Sequence, residues 1–360
     1  MPPASTLIRT FNKPRPFRIR LIAFSCCALC LGFSPPARAQ AQQTSPPGIP
    51  AAPQTKLRVS VDLVKADVSI TDWRGHFVEG LRKENFRVFD DDAEQPVAFF
   101  ASADAPAQVL VLVETSPAVF LIHRQHLEAA YALLSGLAPD DQVSLATYAE
   151  QPRLILPFTS DKNSLAQTLL GIQYQLGSTE LNFYDAVNSC IDWLEAFTGK
   201  KALLLLTTGL DSSPSGHWET LAERIRGSDV TVFSVALGGS LRSFDAGPSV
   251  LPGDKNGAPA ATPGLSFRAA DRALKSLADL SGGQAFFPKD DKEFPSLYRR
   301  IAEALRHEYT LGFVPARDGK FHSLRIEVSD ARGRPLLLDG SKKSYRLFAR
   351  QGYHAPSPAN

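Results

Sequence analysis

Cysteine is nearly missing from the part of this chain that has to fold. Its 360 residues contain four, and three of these, Cys26, Cys27 and Cys30, fall in the first forty positions. The fourth, Cys190, can neither close an internal disulfide nor build a cysteine-based zinc site alone. It falls in a helical apolar pattern, so a small buried hydrophobe is its expected role. A charge excess of one sign is also lacking, with 39 Lys and Arg against 37 Asp and Glu. Without a strongly basic face, nucleic acid is not an expected partner. No phosphate-binding glycine loop or dinucleotide fingerprint occurs. A G-x-S-x-G elbow and an ordered nucleophile–base triad are absent too, which leaves an exported hydrolase as the weakest of the functional classes.

What is present begins with an export pattern. Arg9, Lys13, Arg15, Arg18 and Arg20 form a basic run with no acidic residue. An apolar stretch over 21–33 follows, then the small-residue pattern Ala37-Arg38-Ala39. That order is what a signal peptide requires, and the apolar run is too short to span a bilayer. Residues 1–39 are therefore expected to be removed, leaving an exported, periplasmic or extracellular protein with no integral span. The segment holds six of the 39 basic residues and no acidic one, so the remainder is 33 against 37, a net charge of −4. Residues 40–55, with Pro46, Pro47, Pro50 and Pro53, read as a flexible or extended linker.

From Leu57 the pattern has period two: Ala66, Val68 and Ile70 alternate with Lys65, Asp67 and Ser69. Further strand signals around the turn Asp90-Asp91-Asp92 make 56–104 a small β region. The texture changes near 105. Residues 108–113 are a continuous apolar run, as a strand buried on both faces requires. Strands and amphipathic helices then alternate to about residue 308. That predicts an α/β domain, a doubly wound and mainly parallel sheet covered on both faces. Residues 240–266 interrupt it with four Pro and four Gly. This insert is expected to be mobile and to emerge on the ligand face of the sheet. Period-two texture returns in 309–354, followed by a short tail, 355–360. The two flanking β regions are each at the margin of independent stability, so they are expected to combine into one small β-sandwich.

Three segments suggest the site. VLVETSPA ends the first apolar strand, GSTELNFYDAV follows, and LLLLTTGLDSS ends a later strand. Together they resemble the three ligand loops of a von Willebrand factor type A domain. The opening VSVDLVKADVSITDWRGHFVEGL and the closing DGKFHSLRIEV and ARQGYHAP resemble an acidobacterial subgroup of these proteins. The resemblance implies a Rossmann-like α/β fold that binds a protein partner at the C-terminal face of its sheet. Intact members hold a magnesium-type ion there with D-x-S-x-S, a Thr and an Asp. Here Glu114 stands at the first Asp, Ser116 matches, Ala118 replaces the second Ser, Thr179 matches, and Thr208 replaces the last Asp.

The implied metal set is therefore Glu114, Ser116 and Thr179, and the wider ligand set adds Thr208 and Asp211. A degenerate adhesion site follows, with weak Mg or Mn binding at most and no other cofactor. The leading expectation is a non-enzymatic adhesion-type binder. The alternative is a metal-dependent adhesion module in which Glu114 and Asp211 rebuild the site. Two other clusters read as weaker metal candidates. His123 and His126 lie three apart in a helical stretch without a third ligand, and Asp90, Asp91 and Asp92 form an acidic turn.

Overall fold

The computed structural model describes residues 63–101, 106–120, 133, 135–177, 180–212, 218–239, 242, 266–330, 333–334, 336 and 345–358. They belong to one compact unit, Val59–Asn360. The signal segment, the linker, His123, His126, Thr179 and all of 240–266 except Arg242 and Ser266 lie outside the described residues.

The N-terminal region supplies β1 (Val64–Thr71), β2 (Phe86–Asp90), β3 (Ala93–Gln95) and β4 (Phe99–Ala101). The central region supplies β5 (Ala107–Glu114), β6 (Gln142–Tyr148), β7 (Arg153–Thr159), β8 (Lys200–Thr207), β9 (Val230–Ala236) and β10 (Ala285–Phe286). The C-terminal region adds β11 (Tyr309–Phe313), β12 (Phe321–Val328), β13 (Arg346–Ala349) and β14 (Gly352–His354). The helices are α1 (Pro117–Phe120), α2 (Lys162–Leu170), α3 (Phe183–Glu195), α4 (Trp218–Gly227), α5 (Phe267–Ser281) and α6 (Phe294–Arg306).

The central strands form a six-stranded sheet in the order β10-β9-β8-β5-β6-β7. Only the β6–β7 pair is antiparallel; the other pairs are parallel. β5 and β8 read as unbroken apolar runs because both faces are covered. Val109, Val111 and Val113 enter a core with Leu165 and Leu169 of α2 and Leu297, Ile301 and Leu305 of α6. Leu110 and Leu112 enter the opposite core with Val187 and Ile191 of α3, Leu221 and Ile225 of α4, and Leu274 and Leu277 of α5. Each fully buried Leu or Val contributes about 1.5–3 kcal/mol. Cutting Leu205, which is 0% exposed, to Ala would cost about 2–5 kcal/mol. Cys190 lies in the second core, fully buried.

Local chemistry trims the helices. The apolar spacing predicts a helix over 160–173, but α2 starts only at Lys162, where Asp161 accepts from the Asn163 N–H at 3.0 Å. It stops at Gly171. Helix α5 starts behind Ser266, whose hydroxyl accepts from the Ala269 N–H, and ends on Gly282 in the left-handed region, φ 84°.

The flanking strands build two antiparallel sheets, β13-β1-β11-β4 and β14-β12-β2-β3. Each takes strands from both ends of the chain: β1 lies between β11 and β13, and β2 pairs with β12. Their inner faces share one core that includes Val68, Ile70, Val88, Phe313, Leu324 and Ile326. The β2–β3 hairpin turns on Asp91 and Asp92 at φ 45° and 67°. Two positive φ values in succession are what a tight hairpin of matching twist needs, and Asp tolerates them better than most residues. Among the described residues no helix is long and apolar enough to cross a membrane.

Candidate functional site

Chain order reverses at β5. The strands after it run outward through β6 and β7, whereas β8 returns to its other side. In open α/β sheets a crevice forms at the carboxyl ends of the two strands flanking such a reversal. Glu114 ends β5, Thr207 ends β8, and Tyr148 ends β6. The three side chains meet in that crevice.

Glu114 is the hub, and its side chain is fully buried. Its Oε1 accepts from the Ser116 hydroxyl at 2.5 Å. Its Oε2 accepts from the Thr208 N–H at 2.7 Å, the Thr208 hydroxyl at 2.8 Å and the Thr207 hydroxyl at 2.9 Å. The Tyr148 hydroxyl lies 3.1 Å from the same oxygen and 2.5 Å from Thr207 Oγ1. Thr207 gives its proton to Glu114, so the single Tyr148 proton is best placed at Thr207, which relays it. Burial, reinforced by the Glu114 charge, pushes the Tyr148 phenol well above its usual pKa and keeps it a donor. Thr207 Oγ1 also accepts from the Gly209 N–H at 2.8 Å. Gly209 makes this turn at φ 73°, and a Cβ there would meet Leu274 Cδ1 at 2.8 Å.

The positive charge beside this carboxylate comes from Arg242. Its Nη2 donates to the Thr208 carbonyl and its Nε to the Leu237 carbonyl at 3.2 Å. It pairs with Asp271 and lies over the Phe267 ring, 4.9 Å from the centroid. Burial lowers the Arg242 pKa to about 10, while the Glu114 charge opposes that fall. The guanidinium therefore stays protonated at neutral pH.

Glu114, Ser116 and Thr208 come together, whereas Thr179 lies outside the described residues. Asp211 holds the start of α3, its Oδ2 accepting from the Tyr184 N–H at 2.9 Å, and its charge acts on Tyr148. Asn182, the cap position of that helix, makes no side-chain capping bond, so Asp211 caps α3 from a distant loop. Sequence reasoning missed Tyr148, Thr207 and Arg242. The Thr207-Thr208 doublet was a usable signal, and so was a polar Tyr148 ending an apolar strand. Arg242 stands in a Pro- and Gly-rich insert that offers no periodicity.

A second polar cluster joins the ends of the chain inside the sandwich. His322 Nδ1 lies 2.9 Å from both Asp90 Oδ1 and Asp91 Oδ2, and its Nε2 lies 3.1 Å from Asp318. Tyr353 donates to Asp90 at 2.8 Å. Ligand atoms of Asp90, Asp91 and His322 lie within 4.8 Å of one another. The imidazole lies between Asp90, Asp91 and Asp318, while the Asp91 and Asp92 side chains at the turn stay 55% and 88% exposed. Burial would lower the His322 pKa, but hydrogen bonding to Asp318 and the charge of Asp90 win and raise it.

Residues 109–250 match the von Willebrand factor type A domain. Solved structures similar to the chain include an aerotolerance-related membrane protein from Bacteroides fragilis, at 17% identity and a TM-score of 0.42, covering 56% of this chain and 98% of that one. A von Willebrand factor type A protein from Catenulispora acidiphila is 12% identical with a TM-score of 0.41, covering 84% and 76%. Proximal thread matrix protein 1 from the mussel byssus, solved with a zinc-occupied MIDAS motif, is 10% identical with a TM-score of 0.39, covering 57% and 49%. No match was found among curated proteins.

Proposed function

We propose that the chain is an exported, non-enzymatic protein-binding module that meets its partner through the C-terminal edge of the type A sheet, largely without a metal ion. The observation that carries this reading is that both oxygens of the Glu114 carboxylate are engaged by hydrogen bonds from within the fold. A hard divalent ion needs oxygen lone pairs converging on one centre about 2.0–2.1 Å away. Here the hydroxyls of Ser116, Thr207 and Thr208 direct hydrogens at Glu114 instead. Ala118 offers no oxygen, Thr208 no carboxylate, and Arg242 adds positive charge beside the crevice. These residues do not fit the ion that intact members of the family hold.

Export is supported by the basic run, the apolar stretch and Ala37-Arg38-Ala39. The resemblance of the flanking segments to an acidobacterial subgroup agrees with it. The lack of any nucleophile–base motif supports a binder over a hydrolase.

Thermal unfolding with magnesium, manganese or EDTA tests the reading. An ion bound only by the folded state raises the melting temperature by mass action. The expected result is no change at millimolar concentrations, and a saturable shift at micromolar magnesium would overturn it. A pull-down from the native organism should recover the same partner with and without EDTA.

A further inference from the structure

We infer that a groove beside Ser116 takes an extended segment of a partner protein that carries large apolar side chains and one carboxylate. The inference rests on the binding-module reading and names the chemistry of the partner. Two hollows, of about 370 and 260 Å³, adjoin at Ile172 and Gln173. The first reaches Thr115 and Tyr148, so the groove opens on the edge of the sheet that holds the Glu114 crevice. Apolar exposure concentrates here. Among the described residues ten large hydrophobic side chains are exposed, and four of them, Phe120, Ile155, Leu170 and Leu176, line this groove. Leu170 and Leu176 are 62% and 67% exposed. Such exposure is costly on a module that faces only water, and its concentration on one edge marks a contact surface.

Charge settles what kind of segment fits. Among the described residues no acidic side chain lines either hollow, and Arg153 is the charged residue that does. It is exposed, and among the described residues no carboxylate pairs with it. The rest of the polar lining is neutral amide and hydroxyl, including Gln151, Gln173 and Thr168, suited to the backbone of an extended chain. An apolar segment with a single carboxylate satisfies all three features, whereas a basic segment would face Arg153 with no acid to offset it.

The test is a selection of random twelve-residue peptides, displayed on phage, against the full mature chain. Enriched sequences should combine large apolar residues with Asp or Glu. Binding of the best synthetic peptide should fall about tenfold or more in Leu170→Glu/Leu176→Glu, the size expected when burial of two leucines is lost. It should fall about two- to fivefold in Arg153→Gln, the size of an exposed ion pair. Replacing the peptide acid by its amide should abolish that second difference. Circular dichroism of each variant controls for folding. Enrichment of peptides without an acid overturns the inference. So does a dimer of the chain that the Leu170→Glu/Leu176→Glu variant dissolves. Peptides that survive both groove variants yet are lost in Ala118→Arg overturn the groove and leave the binding edge standing. No enrichment on the folded chain overturns both.

Discussion

Removing the Glu114 carboxylate should expose how much of the site depends on it. In Glu114→Ala the Thr208 N–H, buried and held at 2.7 Å, loses its acceptor. A stranded buried donor costs about 1–3 kcal/mol. The hydroxyls of Ser116 and Thr208 must also find new acceptors, and so must one of Thr207 and Tyr148, because their 2.5 Å contact holds only one of their two protons. With the cavity left by the lost atoms, the total is about 3–5 kcal/mol. Glu114→Gln should do much less. Its amide oxygen can take the place of Oε2, and its NH₂ can donate to Ser116 Oγ, which then serves as acceptor. Hydrogen bonds weaken when the charge goes, but the expense of burying that charge goes too, so a loss of about 1 kcal/mol is expected. Urea unfolding followed by circular dichroism measures both. A loss below about 1 kcal/mol in Glu114→Ala, or equal losses in the two variants, would refute the picture of a carboxylate hub.

The remaining predictions test other parts of the fold. Glu114→Asp, Ala118→Ser and Thr208→Asp together should create a melting shift with magnesium that the natural chain lacks, read by thermal unfolding. Burial lifts the Glu308 pKa to about 7 from 4.5, with Lys200 pulling it down. A carboxyl raised in the folded state stabilises fully below its unfolded pKa, and this contribution declines as pH rises from about 4.5 to about 7. Glu308→Gln should therefore gain on the natural chain across that window, by at most about 3 kcal/mol in urea unfolding. The raised His322 pKa acts in the same direction, through the charged form rather than the neutral one: its contribution is complete below its unfolded value of 6.5 and is lost as pH rises through the folded one. The stability deficit of His322→Asn should thus shrink from pH 5 towards alkaline pH. A chain ending at Tyr309 takes β13 and most of β11 from β1 and β12 from β2, and amide exchange at Ala66, Val68 and Ile70 should become fast; continued protection would show that the N-terminal strands fold alone.

Much of the architecture was legible because burial dictates periodicity. The unbroken run 108–113 could only suit a strand covered on both faces, and the spacing of Val187, Ile191 and Leu194 could only suit one face of a helix. The alternation of Ala66, Val68 and Ile70 gave the inner face of β1, but not its partners. Pairing between residues some 240 apart leaves no trace in local pattern: Thr310 lies opposite Asp67 and donates to it at 2.6 Å, and neither residue announces the other. The helix ends were misplaced for a related reason, since Asp161 and Gly171 override the apolar spacing that continues past them.

The site was half legible, and its missing half concerns how the departures from the family pattern fit one another. Counted position by position, Glu114 and Thr208 are two losses. In three dimensions each compensates the other. The additional methylene of Glu114 carries its carboxylate across the crevice to the Thr208 N–H and hydroxyl, which stand where the pattern has a carboxylate. Reverting either alone should therefore do harm. Glu114→Asp withdraws the acceptor from Thr208 by the length of a bond, and Thr208→Asp sets a second carboxylate against Glu114, with Arg242 the cation that the described residues place beside them. Residues sharing one hydrogen-bond network show coupling of about 0.5–3 kcal/mol. The double reversion should thus be less damaging than the sum of the single ones, and less again when magnesium is present. Additive losses in the double-mutant cycle would mean that the two substitutions are independent and that the crevice is merely eroded rather than rebuilt around an internal hydrogen-bonded carboxylate.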